Sequence, residues 1–397
     1  MEKTQRLPEE EGWGRMNVVS LAHKLEPAPN PMKIAVFWRA VSKLETHREL
    51  LQVLAAEFGH HLLILDDSPN PIEADTDRIE TASVKVLSDA HAAIRVVTGW
   101  QRALEKFQPD ILLGLDEPYC LQTWRFLSWA KNHKVPFIFL SCQNIDRPIP
   151  PPFSILEKRV MSMADGAWFL NTDAYARANR RGFKGLGRVI PLGVNPDNFP
   201  GLDGAPGAFR EADMDRFSAG FVGRLVPEKG VEDLVHACHK AKMWLTIVGD
   251  GPDRARLQGL TDKLKVTTEW MGEVPSTGIF YAYRRMDVMV LPSRTTRKWK
   301  EQFGRVLVEA MASSTPIVAS DSGEIPNVVG DAALLYHEGD VKALTNRLMM
   351  LRNDTTLRRD LVERGCQRVL DFFTWPRIAE MLEDLIREIR YIATRKS

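Results

Sequence analysis

Two glutamates, Glu301 and Glu309, stand eight positions apart in EQFGRVLVEAMA (301–312), with Phe303 and Gly304 between them. An apolar run, VMVLP (288–292), and a basic loop, SRTTRKWK (293–300), precede them. Val306, Leu307, Ala310 and Met311 recur at helical spacing, so the stretch opens a helix. Glu301 then sits in the loop before the helix. Glu309 lies about two turns beyond it, at 3.6 residues per turn. Gly304 allows a tight turn and lets a ligand approach bare backbone. The helix N-terminus offers unpaired N–H groups and a positive dipole end, a ready site for an anion. Two carboxylates flanking an anion site suit a ligand with hydroxyls at both ends and phosphate between them. A nucleotide-sugar has that layout. A bare pair of acids at this spacing also reads as a solvated helix residue and a loop charge. The intervening FG and the strand–loop–helix context favour the ligand.

A second basic feature follows another strand-like run. AGFVG (219–223) leads straight into GRLVPEKG (223–230), where a turn containing Pro227 separates Arg224 from Lys229. A guanidinium and an ammonium at the carboxyl end of a strand can grip a diphosphate, the first bidentately and the second as a point charge. A solvated turn with two basic residues is the other reading, and these residues alone leave both open.

The elements that must position these groups alternate along the chain. Apolar runs at KIAVF (33–37), HLLIL (61–65), DILLG (110–114), VPFIFL (135–140), GAWFL (166–170) and RVIPL (188–192) are strand-like. Helical pattern fills the gaps, as in THRELLQVLAAEF (46–58) and CLQTWRFLSWAKN (120–132). NPDNFPGLDGAPGAFREADMD (195–215) is rich in Pro, Gly and Asp and reads as a linker. A second series follows at 219–223, WLTIVGD (244–250), TTEWM (267–271), 288–292, TPIVAS (315–320) and AALLY (332–336). From Val341 the tail is helical in pattern, interrupted at Phe373-Thr374-Trp375-Pro376. The pattern predicts an α/β protein with two doubly wound domains, 32–200 and 216–375, and a ligand beyond the carboxyl ends of their strands.

Bulk properties exclude several classes. The 397 residues suffice for two or three domains, and 44% apolar with 26% charged residues is ordinary for a soluble protein. A net charge of +1 is not that of a nucleic-acid binder. Cys120, Cys142, Cys238 and Cys366 form no CxxC, which argues against a disulfide framework or a zinc site and fits a reducing compartment. No apolar run reaches the roughly 18–20 residues of a membrane span. Residues 1–31 hold acids and prolines but no apolar core, so they read as a mobile extension or a misassigned start rather than a signal peptide.

The segments GRLVPEKG (223–230), LTIVGDGPDRARL (245–257), MGEVPSTGIFYAYRRMDVMVLPS (271–293) and EQFGRVLVEAMASSTPIVASDSGEIPNVVG (301–330) fall in register. With a closing helix, they make most of residues 188–390 resemble the nucleotide-sugar half of a retaining glycosyltransferase of family 4. This is the group 1 glycosyl transferase family, of GT-B fold. The first half resembles it more loosely, through PDILLGLDEPY (109–119), residues 135–144 and VIPLGVNPDNF (189–199). The resemblance implies two Rossmann-like parallel-sheet domains facing a central cleft, with residues 376–397 crossing back to the first. It makes Arg224 and Lys229 ligands of the donor diphosphate and gives Glu301 the sugar hydroxyls. Gly223 lies at the strand end beside them. Phe303, Gly304 and Arg305 offer backbone N–H groups, and Glu309 accepts the ribose hydroxyls. Gly272 and Val274, on either side of Glu273, lie against the base.

This chain departs from the family pattern in three places. FWRAVSKLETH (37–47) has no glycine where many relatives carry a Gly-rich loop. Ser141-Cys142-Gln143-Asn144 stands where many carry a His-Asp pair. Gln143 and Asn144, on the acceptor side, form hydrogen bonds but cannot titrate, which argues against a general base there. The loop before Glu301 is longer than usual. Its Arg294, Arg297, Lys298 and Lys300 either join the phosphate field or form a solvated basic loop, the latter being favoured.

The implied reaction moves a sugar from a nucleoside diphosphate, of UDP or GDP type, to an acceptor hydroxyl with retention. The acceptor is a saccharide or a lipid-linked saccharide, and the setting is cytoplasmic polysaccharide or glycolipid synthesis. The family requires no metal or other cofactor. Asp75-Thr76-Asp77 and Asp213-Met214-Asp215 match a metal-binding pattern but lie in polar loops. A nonhydrolysing nucleotide-sugar epimerase is the alternative, needing histidines such as His47, His60, His61 or His133 at the sugar. A nucleotide-sugar-binding protein without activity is another. A dinucleotide dehydrogenase is disfavoured because no GxGxxG follows any predicted strand. Residues 147–188 carry eight Lys/Arg against three acids, with Arg177, Arg180, Arg181 and Lys184 at a helix end. The cluster reads either as a peripheral contact with the inner face of a membrane or as cations complementing a helix C-terminus.

Overall fold

The computed structural model describes residues 31–39, 45–68, 77–88, 91–200, 202 and 211–396. Residues 1–30 and Asp75, for which expectations were formed, lie outside this set. The chain divides into two compact units at Gly193/Val194 and again at Thr374/Trp375.

In the first unit the strands are β1 (Lys33–Trp38), β2 (His61–Asp66), β3 (Ile79–Ser83), β4 (Lys85–Ser88), β5 (Val96–Thr98), β6 (Ile111–Leu115), β7 (Phe137–Ser141), β8 (Gly166–Phe169) and β9 (Leu186–Val189). Seven of them form a parallel sheet in the order β3-β2-β1-β6-β7-β8-β9. β6, β7 and β8 are buried throughout, as expected of parallel strands covered on both faces. β3 and the β4–β5 hairpin were not legible as strands, because IETAS and KVLS are polar and partly exposed. β9 starts two residues before RVIPL. The ladder continues to Ile190, whose N–H donates to the Phe169 carbonyl, and stops at Pro191, which has no N–H.

Helix Trp375–Lys396 completes this unit rather than the one it follows in sequence. Ile378, Ala379, Leu382, Leu385, Ile386 and Ile389 recur every three or four residues and are buried beside Leu50 and Leu54 of helix Glu45–Glu57. Polar ties fix its register. Trp375 Nε1 donates to Glu49 (2.8 Å), and Arg390 pairs with Asp110 (2.7 Å). His60 Nε2 lies 2.7 Å from Glu383 Oε2, both buried, and Arg387 also bonds Glu383. Burial alone would raise the Glu383 carboxyl, but His60 and Arg387 outweigh it and hold the group below its ordinary value. A depressed carboxylate stabilises the fold above its unfolded pKa of 4.5 and loses that contribution as pH falls. Glu383→Ala leaves a buried partner uncompensated and is expected to cost about 3–5 kcal/mol. The urea midpoint at pH 7 measures this loss.

The second unit holds β10 (Ser218–Val222), β11 (Trp244–Val248), β12 (Thr268–Gly272), β13 (Val288–Leu291), β14 (Ile317–Ser320) and β15 (Leu334–Tyr336). All pairs are parallel, in the order β12-β11-β10-β13-β14-β15. The unit begins at Val194, before the Pro/Gly-rich stretch. The Val194 N–H donates to the Phe373 carbonyl (2.8 Å), which ties residues 194–200 to this unit. The helical tail has a second break, at Asp354, whose side chain caps helix Thr355–Phe372 through the Leu357 N–H.

Candidate functional site

In the second unit the sheet order reverses between β10 and β13, the switch point at which open parallel sheets take ligands. The loops after these two strands carry the motifs singled out in the sequence. β10 ends at Val222, just before Gly223, and Pro227–Lys229 form a single 3-10 turn. The loop after β13 holds Ser293 to Gly304, and its Arg294 N–H donates to the Glu228 carbonyl (2.8 Å). The two loops are therefore one structure.

Their functional groups meet. Lys229 Nζ lies 2.6 Å from Glu301 Oε2, although the residues are 72 positions apart. The Ser293 hydroxyl donates to the same oxygen (2.8 Å). Glu301 is 5% exposed, so its charge is held by these contacts rather than by water. Its carbonyl accepts the Glu324 N–H (3.1 Å). Beneath it sits Gly323 at φ 58, where a Cβ would lie 2.1 Å from the Glu301 carbonyl oxygen. Arg224 is exposed, and no ion pair holds it among the described residues.

Helix Arg305–Ala312 starts after Gly304, which takes φ 78 and supplies no side-chain cap. Its first N–H groups are left for an anion. Phe303 is 3% exposed and packs edge-on against Phe373, so only its backbone can serve a ligand. Glu309 is buried. Its Oε1 accepts from Arg305 Nε (2.8 Å) and its Oε2 from the Tyr283 hydroxyl (3.0 Å). A carboxylate offers about four lone-pair sites, so acceptor capacity remains for two hydroxyls. Burial, reinforced by the Glu309 charge, pushes the Tyr283 hydroxyl well above its ordinary value, and it stays a donor. Gly272 ends β12 at the same edge, where its carbonyl accepts the Gly249 N–H (2.6 Å), and half-buried Val274 follows.

The basic loop is exposed from Arg294 to Lys298, as the sequence favoured, but it is anchored. Arg294, its side chain still partly in water, is paired with buried Asp233 on helix Val231–Ala241 and staples the loop. The Thr296 hydroxyl accepts the N–H groups of Lys298 (3.2 Å) and Trp299 (2.9 Å), forming a closed turn. The turn sets the Trp299 ring 4.9 Å from Lys229 Nζ. Arg297 and Lys298 are exposed.

The sequence did not single out Ser293, Tyr283 or Trp299. Ser293 carried a signal, being a polar residue just beyond a buried strand. Tyr283 carried none, because its contact with Glu309 spans 26 positions.

In the first unit Gln143 and Asn144 follow β7 and are 7% and 8% exposed. Both polar atoms of the Gln143 carboxamide are buried without a partner among the described residues, each at a cost of about 1–3 kcal/mol if left so. Glu117, just beyond β6, went unnoticed in the sequence. Its Oε2 accepts the Ser141 hydroxyl (2.7 Å) and its Oε1 the Cys142 N–H (2.8 Å). Desolvation pushes its carboxyl up to about 7, against these two bonds.

The remaining candidates have structural partners. His60 belongs to the Glu383 pair, His47 stacks on Trp38 and His133 stacks on Trp129. His61 is exposed at the start of β2. Arg177 is 1% exposed and bonds Glu157 (2.6 Å), while Arg181 bonds Asp146 (2.5 Å). Two of the four clustered cations are thus neutralised internally. Asp213 caps a 3-10 turn through the Asp215 N–H. Among the described residues no group of three or more His, Cys, Asp or Glu is arranged for a metal ion, and no helix is long and apolar enough to cross a membrane.

Residues 208–368 match the family of Glycosyl transferases group 1. The chain is 41% identical over 104 residues to a GDP-mannose-dependent alpha-mannosyltransferase of Mycolicibacterium smegmatis, covering 26% of this chain and 25% of that one. It is 29% identical over 263 residues to a D-inositol 3-phosphate glycosyltransferase of Corynebacterium jeikeium, covering 60% and 61%. The chain thus spans less than two thirds of the length of these curated relatives. Among solved structures, sucrose-phosphate synthase from Thermosynechococcus elongatus superposes with TM-score 0.71 at 20% identity, covering 90% of this chain and 99% of that one. Anabaena HepE in complex with UDP superposes with TM-score 0.67 at 15% identity, covering 90% and 100%. The two parallel-sheet units therefore have the GT-B fold that the sequence resemblance implied.

Proposed function

We propose that this chain is a glycosyltransferase that moves a sugar from a nucleoside diphosphate to an acceptor hydroxyl with retention of configuration. The observation that carries this reading is the 2.6 Å contact of Lys229 with Glu301 at the β10/β13 switch point, one turn of chain from an uncapped helix N-terminus. Arg224 and Lys229 bind the diphosphate. Glu301 takes sugar hydroxyls and Glu309 the ribose. Gly223, Phe303, Gly304 and Arg305 present backbone to the phosphates, while Gly272 and Val274 border the base. Gln143 and Asn144 face the acceptor.

The bond from the anomeric carbon to the phosphate oxygen breaks, and a bond from that carbon to the acceptor oxygen forms on the same face. The acceptor proton passes to the departing phosphate oxygen. Negative charge grows on the diphosphate. Fixed cations and the helix N-terminus stabilise it without reorganisation, the kind of term that usually dominates. The Lys229–Glu301 pair holds both side chains in place before the donor arrives. No metal is invoked, and full activity in a chelator is the corresponding expectation.

Uridine and guanosine donors both suit the site, and the relatives' names include GDP-mannose and UDP. A saccharide or lipid-linked acceptor, cytoplasmic polysaccharide or glycolipid synthesis, and a peripheral contact with the membrane's inner face complete the proposal. The epimerase reading is disfavoured because His47, His60 and His133 are held by structural partners and His61 lies at the amino end of β2, away from the carboxyl edge of the sheet. A thermal-shift panel of UDP and GDP sugars tests the reading. A true donor at 100 times its Kd adds roughly 2.7 kcal/mol of stability. No shift with any member of the panel ends the proposal, and a shift without transferred product leaves only binding.

A further inference from the structure

We propose that Glu117 is a positioning residue: it locks the loop Ser141–Asn144 so that the unpartnered Gln143 carboxamide can read neighbouring hydroxyls of a saccharide acceptor. The inference rests on the acceptor-side placement of Gln143 in the proposed function and extends it to a residue to which the segment PDILLGLDEPY (109–119) gave no role.

The geometry is that of a clamp. Glu117 leaves β6 and spans to the end of the adjacent β7, where its two oxygens take two donors, the Ser141 hydroxyl and the Cys142 N–H. The Glu117 carbonyl is itself fixed by the Thr123 hydroxyl (3.0 Å). From the other side, Asn171 Nδ2 donates to the Cys142 carbonyl (3.2 Å), while its Oδ1 caps helix Thr172–Arg180. The loop is therefore gripped from two sides, by Glu117 and by Asn171, and Gln143 is the residue so presented. Its side chain is more than nine-tenths buried, and neither Nε2 nor Oε1 has a partner among the described residues. Buried polar groups are nearly always satisfied, so this carboxamide has both kinds of hydrogen bond left to offer a ligand. One amide donor beside one carbonyl acceptor matches two neighbouring sugar hydroxyls, each of which both gives and takes a hydrogen bond.

The charge state of the clamp is set nearby. Desolvation raises Glu117 to about 7, Asp116 adds to the rise, and Arg177 and the two loop bonds oppose it. The neighbouring Tyr119, Cys120 and Cys142 are all pushed up and stay neutral. An ionised carboxylate accepts a hydrogen bond about twice as strongly as a neutral group. The clamp tightens as pH rises through about 7 and loosens below it.

Binding of methyl α-glucoside and methyl α-mannoside, measured by calorimetry beside UDP and GDP as donor-site probes, tests the inference. Gln143→Ala and Glu117→Gln are each expected to weaken the bound glycoside roughly tenfold at pH 8, the loss of about one hydrogen bond. The nucleotide Kd stays unchanged. Wild type weakens from pH 8 to pH 6, and Glu117→Gln abolishes that dependence. Wild-type glycoside affinity in Glu117→Gln overturns the inference, as does an equal loss of nucleotide and glycoside, which marks mere structural damage. If wild type binds neither glycoside, the inference falls while the donor-site reading stands on its own panel. Should Glu117→Gln not fold, Ser141→Ala removes one of the two loop donors, and unchanged glycoside binding there also overturns it.

Discussion

Lys229→Ala is expected to lower transfer from a nucleoside diphosphate sugar roughly 10²–10³-fold, about 2.7–4 kcal/mol of transition-state stabilisation. In the proposed reaction the ammonium is the fixed charge that the departing diphosphate meets. Arg224 is exposed, while Arg294 is bound to Asp233. The change also strips Glu301 of the Lys229 cation, while the Ser293 hydroxyl still bonds its Oε2. Some loss of stability therefore accompanies the loss of rate. Steady-state kinetics with matched urea curves separates the two. Lys229→Arg keeps the charge but changes a compact point donor into a planar fork, so it should recover binding more than turnover. Near-normal kcat in Lys229→Ala would remove the phosphate assignment outright.

Gly323→Ala is expected to lower kcat/KM by roughly 10²-fold although residue 323 contributes no chemical group. Its φ of 58 disfavours any side chain, and the added Cβ would sit 2.1 Å from the Glu301 carbonyl oxygen. Something must give, and the segment that yields carries Glu301 itself. A displacement near 1 Å at a positioning residue costs about two orders of magnitude in rate. Donor KM and kcat should both change, while circular dichroism shows the sheet retained. A variant with wild-type kinetics would mean that Glu301 tolerates movement and is no ligand of the sugar.

Both predictions concern residues whose role depends on contacts between distant loops. The sequence located Glu301, Glu309, Arg224 and Lys229 as separate features, because glycine, proline and charge at strand ends leave local marks. The strand–loop–helix alternation was equally visible, since parallel strands covered on both faces are runs of Val, Ile, Leu and Phe. Polar edge strands such as β3 left no such trace, and neither did the β4–β5 hairpin. The basic loop read correctly as exposed, but its anchor left no mark, because Asp233 lies 61 positions from Arg294.

The amino-acid pattern alone determined the α/β class, two doubly wound units, the helical tail and the two motifs that end β10 and follow β13. These depend on local periodicity and on steric rules acting over a few residues. Tertiary structure decided the rest. It paired Lys229 with Glu301, set Tyr283 on Glu309, clamped Ser141–Asn144 with Glu117 and returned Trp375–Lys396 to the first unit. Each of those contacts joins residues far apart in the chain. Only close packing, which desolvates a charge and leaves it one available partner, selects among the many pairings that the sequence permits.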